Sequence, residues 1–364
     1  MYLEHFNLKE HPFQLTPDSD FLYMSESHAR AKAYMDYTIW NRDGFVVVTG
    51  EVGAGKTTLI QKLLSEFDEN ILVAKIFQTQ LDEVEFLQAV LVEFGFNPFN
   101  AKKVELLDML STFLIESFLQ SKQLILIVDE TQNLGRKVLE EIRMLSGLET
   151  QKEKILHVIL AGQPELNMLL DSGDMDQLAQ RVRLRCHISA LSQEEMIHYI
   201  AHRLSVAGAS NPDLFQPEAI ALIYAYTGGI PRLINTLCDT ALTCAYTDEL
   251  QAVSAAVVKT AIDELQWRPY QERMKLRADR AAHKPAVASA NSNASLEELL
   301  DSNRRCLVSL TDKLDRLEPS ASALSEIVRK MQNIETILQR IAGGEQEKGE
   351  KKSTKNKHGA STSP

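Results

Sequence analysis

Gly50-Glu51-Val52-Gly53-Ala54-Gly55-Lys56-Thr57-Thr58 is the stretch from which this chain is best read. Its first eight residues match G-x-x-x-x-G-K-[ST] in full. The apolar run FVVVT leads into the stretch and TTLIQKLLSEF leads out of it, so a buried strand, a glycine-rich loop and a helix follow one another. The glycines let backbone N–H groups turn inward on a polyphosphate, and the helix N-terminus adds its positive end. In that setting Lys56 reaches the β- and γ-phosphates of ATP and the Thr57 hydroxyl ligates Mg²⁺. A chance glycine-rich turn would not bring both flanking elements with it.

A second signal lies about 73 residues beyond the lysine, in Leu124-Ile125-Leu126-Ile127-Val128-Asp129-Glu130. An apolar strand ending in two acids delivers carboxylates to its C-terminal edge, where ligands of open α/β sheets sit. Asp129 is expected to hold Mg²⁺ through water, and Glu130 to polarise the attacking water as general base. Strands often end in acids, and the plainer alternative for Glu130 is a helix N-cap or a surface acid. The placement after the loop is what gives the pattern its weight.

Three further apolar runs, Ile71–Phe77, Leu156–Ala161 and Val182–Ile188, join Phe45–Thr49 and Leu124–Asp129, with helical stretches between most of them. The first four in chain order lack alternation, as strands buried on both faces do, whereas VRLRCHI alternates and reads as an edge strand. Alternating strands and helices predict a parallel sheet in a three-layer αβα domain. We therefore expect an α/β P-loop NTPase core over 1–191 and a small helical lid over 192–266. A linker over 267–295, a coiled-coil-like helical region over 296–342 and a disordered tail over 343–364 follow. The leucines and isoleucines of 296–342 recur at spacings of three and four around a break at Pro319, which suits a coiled coil or a helical pair folded on itself.

The formal net charge of −11 over 364 residues disfavours a protein held to DNA by phosphate contacts. Four cysteines without a C-x-x-C pair predict reduced thiols in a cytoplasm rather than a zinc site. The opening MYLEHFNLKE does not read as a signal peptide, and no run of about 18 apolar residues predicts a membrane span. His198 and His202 share a helix face, but no Glu follows the first, so the zinc-protease motif is absent.

Seven segments in fixed order carry a resemblance that covers Met1 to about Leu265. They are MYLEHFNLKEHPFQLTPDSDFLY, GFVVVTGEVGAGKTTL, LILIVDETQNL, VILAGQPEL, LAQRVRLRCHI, YIAHRLSVAG and TGGIPRLINTLCDTAL. With them the chain resembles the AAA-type ATPases of the general secretion pathway protein A family, which includes relatives encoded with exosortase and exopolysaccharide systems. The resemblance implies an AAA+ type core with a lid, Mg²⁺-dependent ATP hydrolysis, homo-oligomers, and protein partners in an envelope export machine. It places Gln163 at the polar position called sensor 1 and Arg232 at the lid arginine called sensor 2. It also makes Arg181 the arginine offered to a neighbour's nucleotide, with Arg183 and Arg185 as close competitors. The segment around Phe13 and Pro17–Tyr23 would cover the adenine or belong to the core. Some secretion relatives carry a transmembrane helix and a peptidoglycan-binding domain after the core. This sequence shows neither, which moves the expectation toward the exosortase or polysaccharide setting and a cytoplasmic protein, peripheral at the inner membrane through partners. The other function class is a DNA-associated ATPase switch of the kind that selects transposition targets.

Overall fold

The structure is a computed structural model and describes residues 2–282 apart from 42–43, 78–79, 151–152, 210 and 212. The chain opens with a short helix α1 (Tyr2–His5) and the longer α2 (Glu26–Trp40), then enters β1 (Phe45–Gly50), α3 (Lys56–Ser65) and β2 (Ile71–Ile76). Two helices, α4 (Glu83–Glu93) and α5 (Lys103–Leu119), precede β3 (Gln123–Val128). After them come α6 (Arg136–Leu145), β4 (Leu156–Gly162), α7 (Glu165–Leu170), α8 (Asp176–Ala179) and β5 (Leu184–Ile188). The remaining helices are α9 (Gln193–Val206), α10 (Pro217–Thr227), α11 (Pro231–Thr247), α12 (Ala255–Glu264) and α13 (Tyr270–Ala282).

The five strands form one parallel sheet in the order β2-β3-β4-β1-β5. Alternate strand residues serve opposite faces, as the pleat requires. Val46, Val48, Ile125, Ile127 and Ile159 pack with Met35, Ile39, Leu59 and Leu63 of α2 and α3 on one side. Phe45, Val47, Leu124, Leu126 and Val158 pack with side chains of α4 to α8 on the other. This is the three-layer αβα core expected. Every residue of β1 and β4 is buried, and β5 is an edge strand as its alternation foretold. β2 differs from expectation: it is the opposite edge, and most of its residues are only half-buried. Its run ILVAKI is as apolar as a central strand, but composition does not say whether a strand has neighbours on both sides.

Helices α9 to α12 enclose a third hydrophobic cluster, which residues of the first segment complete. Tyr2, Phe6, Phe13 and Phe21 are buried there against Met196, Leu204, Leu237 and Val258. The sequence reading groups residues 1–23 with the core, whereas the aromatic side chains of Tyr2, Phe6, Phe13 and Phe21 pack on the lid and Leu22 packs against the sheet cluster. The buried Arg203 of α9 fastens this segment, donating to the carbonyls of Pro12 and Gln14.

Part of the expected linker is helical. α13 begins where Trp267 and Tyr270 close on the lid, and the Arg273 guanidinium lies 4.7 Å over the Trp267 ring and donates to the Tyr226 carbonyl. The charged composition of 267–282 hides this docking because two aromatic rings and the cation–π contacts of Arg273 with both carry it. Tyr270 packs on Gly228, the left-handed C-cap of α10 at φ 59°, where a Cβ would overlap the ring. Gly228→Ala is therefore expected to destabilise the chain by about 1–3 kcal/mol, through strain and displacement of Tyr270. Thermal unfolding checks it; a midpoint equal to the parent's would contradict the packing argument. The rest of the linker, the coiled-coil-like region and the tail lie outside the described residues, as does Cys306. The other three cysteines are buried and unpaired. Among the described residues no helix is long and apolar enough to cross a membrane.

Candidate active site

The glycine-rich loop connects the C-terminal edge of β1 to the N-terminus of α3. Gly53 and Gly55 take φ of 82° and 99°, a region that favours glycine, and no side chain caps the first turn of α3. The amides at that end are thereby left for a ligand. Lys56 is only 5% exposed, and its Nζ donates to the carbonyls of Gly50 at 2.8 Å and Glu51 at 3.2 Å. Burial lowers its pKa, while the carboxylates of Glu130, Asp129, Glu51 and Glu165 act against that shift.

β3 lies two strands from β1, with β4 between them. Asp129 at its end is 3% exposed, and its Oδ2 accepts a 2.6 Å hydrogen bond from Thr57 Oγ1. Its other oxygen accepts from the Glu130 amide at 2.9 Å. Glu130 sits at φ 51°, uncommon for a residue with a side chain and often found where a group must be aimed. Glu130 Oε2 accepts from Gln132 Nε2 at 2.7 Å and from Gln163 Nε2 at 3.0 Å. The Gln163 backbone N–H in turn donates to Gln132 Oε1 at 2.9 Å. Gln163 follows β4, so one carboxylate is held from the ends of two adjacent strands.

Arg232 enters from the lid. As the second residue of α11 it donates its backbone N–H to the Gly53 carbonyl at 3.2 Å, and a Cβ on Gly53 would overlap its side chain. Between loop, lid and first segment lies a cavity of ≈ 360 Å³. Lys56, Thr57, Thr58, Glu130 and Arg232 line it, together with Val52, Gly53, Gly55, and Gln14 to Asp18 of the opening segment. Phe21 and Tyr23 also line it, whereas Phe13 is part of the lid cluster. Glu51 contributes its carbonyl to Lys56, and Ala54 is buried beneath the loop.

Arg181, Arg183 and Arg185 do not line the cavity of their own chain. Arg181 donates to the Arg143 carbonyl at 2.6 Å and to Ser146 Oγ at 3.0 Å, at the C-terminal end of α6. A cation is favourable there within one chain. Arg185 pairs with Asp171 at 2.7 Å, and Arg183 is exposed.

Thr57 Oγ1 presents a hard oxygen of the kind Mg²⁺ takes, and Asp129 Oδ2, which accepts the Thr57 hydrogen bond at 2.6 Å, would hold a water of the ion's shell. Among the described residues no group of three His, Cys, Asp or Glu side chains gathers as a closed metal site. A cation here must draw its remaining ligands from water and phosphate, which is the habit of Mg²⁺. The residues therefore fit a magnesium–nucleotide pair and do not fit a metal cage.

Sequence reasoning passed over Gln132, although its place two residues after Glu130 is a usable signal. It also passed over His28, which no local pattern reveals.

This fold and site define a class, the AAA-type P-loop NTPases, and a model of the AAA domain matches residues 40–170. General secretion pathway protein A of Aeromonas hydrophila is 40% identical over 247 residues, 68% of this chain and 45% of that protein. The chain belongs with that family across the matched span, and spans less than half the length of that relative. Among solved structures, the Aeropyrum pernix ORC2 protein in ADPNP and ADP complexes matches with a TM-score of 0.55 at 16% identity, over 70% of this chain and 71% of that one. Drosophila ORC bound to DNA matches with 0.54 at 14%, over 88% and 81%. At such identities these two likenesses show the fold alone.

Proposed function

We propose that the chain binds Mg²⁺-ATP in this cavity and hydrolyses it, and that turnover powers or regulates assembly of a bacterial envelope export system of the secretion or exosortase-associated exopolysaccharide kind. One observation carries the first half: Lys56, Thr57, Asp129 and Glu130 converge at one edge of the sheet beneath Arg232. The likeness to general secretion pathway protein A supports the second.

Lys56 exchanges its two loop carbonyls for phosphate oxygens, and the amides at the start of α3 bind the phosphate chain. Thr57, with Asp129 through water, would hold the cation, which as a Lewis acid would offset negative charge on the phosphates. Glu130 takes the proton of the water whose oxygen bonds to the γ-phosphorus as the bond to the bridging oxygen of ADP breaks. Gln132 and Gln163 keep that carboxylate aimed. Arg232 brings the lid's charge to the phosphates.

Arg181 in this reading serves a neighbouring chain's site, which requires a homo-oligomer and release from its bonds to Arg143 and Ser146. An arginine supplied in trans is typically worth roughly 10³–10⁵ in rate. Turnover per chain is thus expected to rise steeply with protein concentration as assembly proceeds, and a flat profile across that range would remove the trans arginine. Phosphate release with Mg²⁺ and none with EDTA is the direct test of the site. In this reading the chain works in the cytoplasm and reaches the inner membrane through partners. Stimulation by duplex DNA that fades with added salt would instead favour a DNA-associated switch.

A further inference from the structure

His28 lies on the first turn of α2, remote in sequence from the loop, yet its ring reaches the loop's backbone. It is 2% exposed. Its Nε2 lies 3.0 Å from the Ala54 carbonyl oxygen, and its Nδ1 lies 2.6 Å from Oγ of Ser25, the N-cap of α2. A carbonyl only accepts, so Nε2 carries the proton and donates to Ala54. In the neutral ring Nδ1 then accepts from the Ser25 hydroxyl. Burial pushes the imidazole pKa down, in keeping with that neutral form. Both ring nitrogens are thus used, which orients the ring with no freedom left.

The Ala54 carbonyl and the Gly55 N–H belong to one planar trans peptide and point in opposite directions. Fixing the carbonyl on His28 therefore sends the Gly55 N–H away from the histidine, at the head of α3. Gly55 at φ 99° has no side chain to resist rotation of that peptide. A Cβ on Gly55 would come within 2.8 Å of His28 Nε2, so ring and loop are in direct contact. Turned over, the peptide would offer an oxygen where a phosphate needs a donor.

We infer that His28 is a positioning residue for nucleotide binding: its Nε2–H bond to Ala54 holds the 54–55 peptide in the orientation that presents a donor to phosphate. This rests on the ATP-site reading above. Without the bond the loop divides between two orientations, and apparent affinity falls by the fraction that remains competent.

The side chains of Asn and Gln separate the two ring contacts. A glutamine amide nitrogen reaches the place of Nε2 and keeps the bond to Ala54. An asparagine amide reaches only the place of Nδ1. With the full chain and a fluorescent ATP analogue, His28→Asn is expected to weaken binding roughly fivefold to tenfold, the range of one buried hydrogen bond. Its kcat at saturation should stay within about twofold of the parent, and His28→Gln should bind within about twofold of the parent. A role confined to packing would lower the folded fraction and kcat without moving the binding midpoint. Should the asparagine variant not fold, His28→Leu, which fills the space without a donor, carries the same expectation. Parent-like affinity in the donor-less variant, or equal losses in His28→Asn and His28→Gln, overturns the assignment alone. Absence of binding by the unsubstituted chain overturns the site reading with it.

Discussion

Lys56→Ala is expected to abolish nucleotide binding, with affinity reduced about a thousandfold or more. The ammonium is nearly sealed from solvent, so its attraction for phosphate is weakly screened. At about 4 Å and an effective dielectric near 20, one such charge pair is worth about 4 kcal/mol, roughly three powers of ten. Among the described residues Arg203 and Arg232 also line the cavity, but Arg203 is committed to the carbonyls of Pro12 and Gln14, and Arg232 approaches from the lid and already has its own part in the site. The loop itself should survive the substitution. The Glu51 carbonyl keeps the Ala54 amide at 3.1 Å, His28 keeps the Ala54 carbonyl, and α3 still starts at its unprotected N-terminus. A titration followed by calorimetry measures the loss, and unchanged far-ultraviolet circular dichroism shows that the fold remains. An alanine variant that bound ATP like the parent would refute the placement of the phosphates.

Glu130→Gln is expected to separate binding from turnover. The replacement is close to isosteric, and its amide oxygen can accept from Gln132 and Gln163 as Oε2 does now. Nothing in the phosphate cradle changes. What disappears is the ability to take a proton from water, and loss of a general base typically costs roughly 10²–10⁴ in rate. The variant should therefore bind ATP at parent affinity and retain it unhydrolysed through a single-turnover experiment. Turnover at the parent rate would strip Glu130 of its role, and would direct attention to the Gln132–Gln163 pair as the groups that orient the water.

Much of this was legible in the chain itself. All five strands lie where the runs stand: the central ones are apolar nearly throughout because helices cover both faces, and β5 alternates because it is an edge. The loop was legible because its chemistry is local: glycines, lysine and threonine act within one turn of backbone. Asp129 and Glu130 could be placed because a strand that enters the sheet brings its terminal acids to the same edge as the loop. Other features had no local signature. The half-buried edge position of β2 depends on which strands lie beside it, and ILVAKI would read alike in either place. The docking of Tyr2, Phe6 and Phe13 on the lid depends on an apolar surface about two hundred residues away. α13 rests on Trp267, Tyr270 and Arg273 within a charged stretch, where composition argues for a linker.

The sequence by itself determined the groups available to this protein: a glycine-rich loop with its lysine and threonine, and two carboxylates at the end of a buried strand. These follow from residue types at short spacings, which backbone geometry converts directly into position. Tertiary structure alone decided what surrounds them. It set the two glutamine amides on Glu130, the lid backbone on Gly53, the histidine under Ala54, and Arg181 on its own chain's α6. Each of these contacts joins residues whose meeting depends on how whole helices and strands pack, and hydrogen bonds of about 3 Å leave no trace in periodicity or composition.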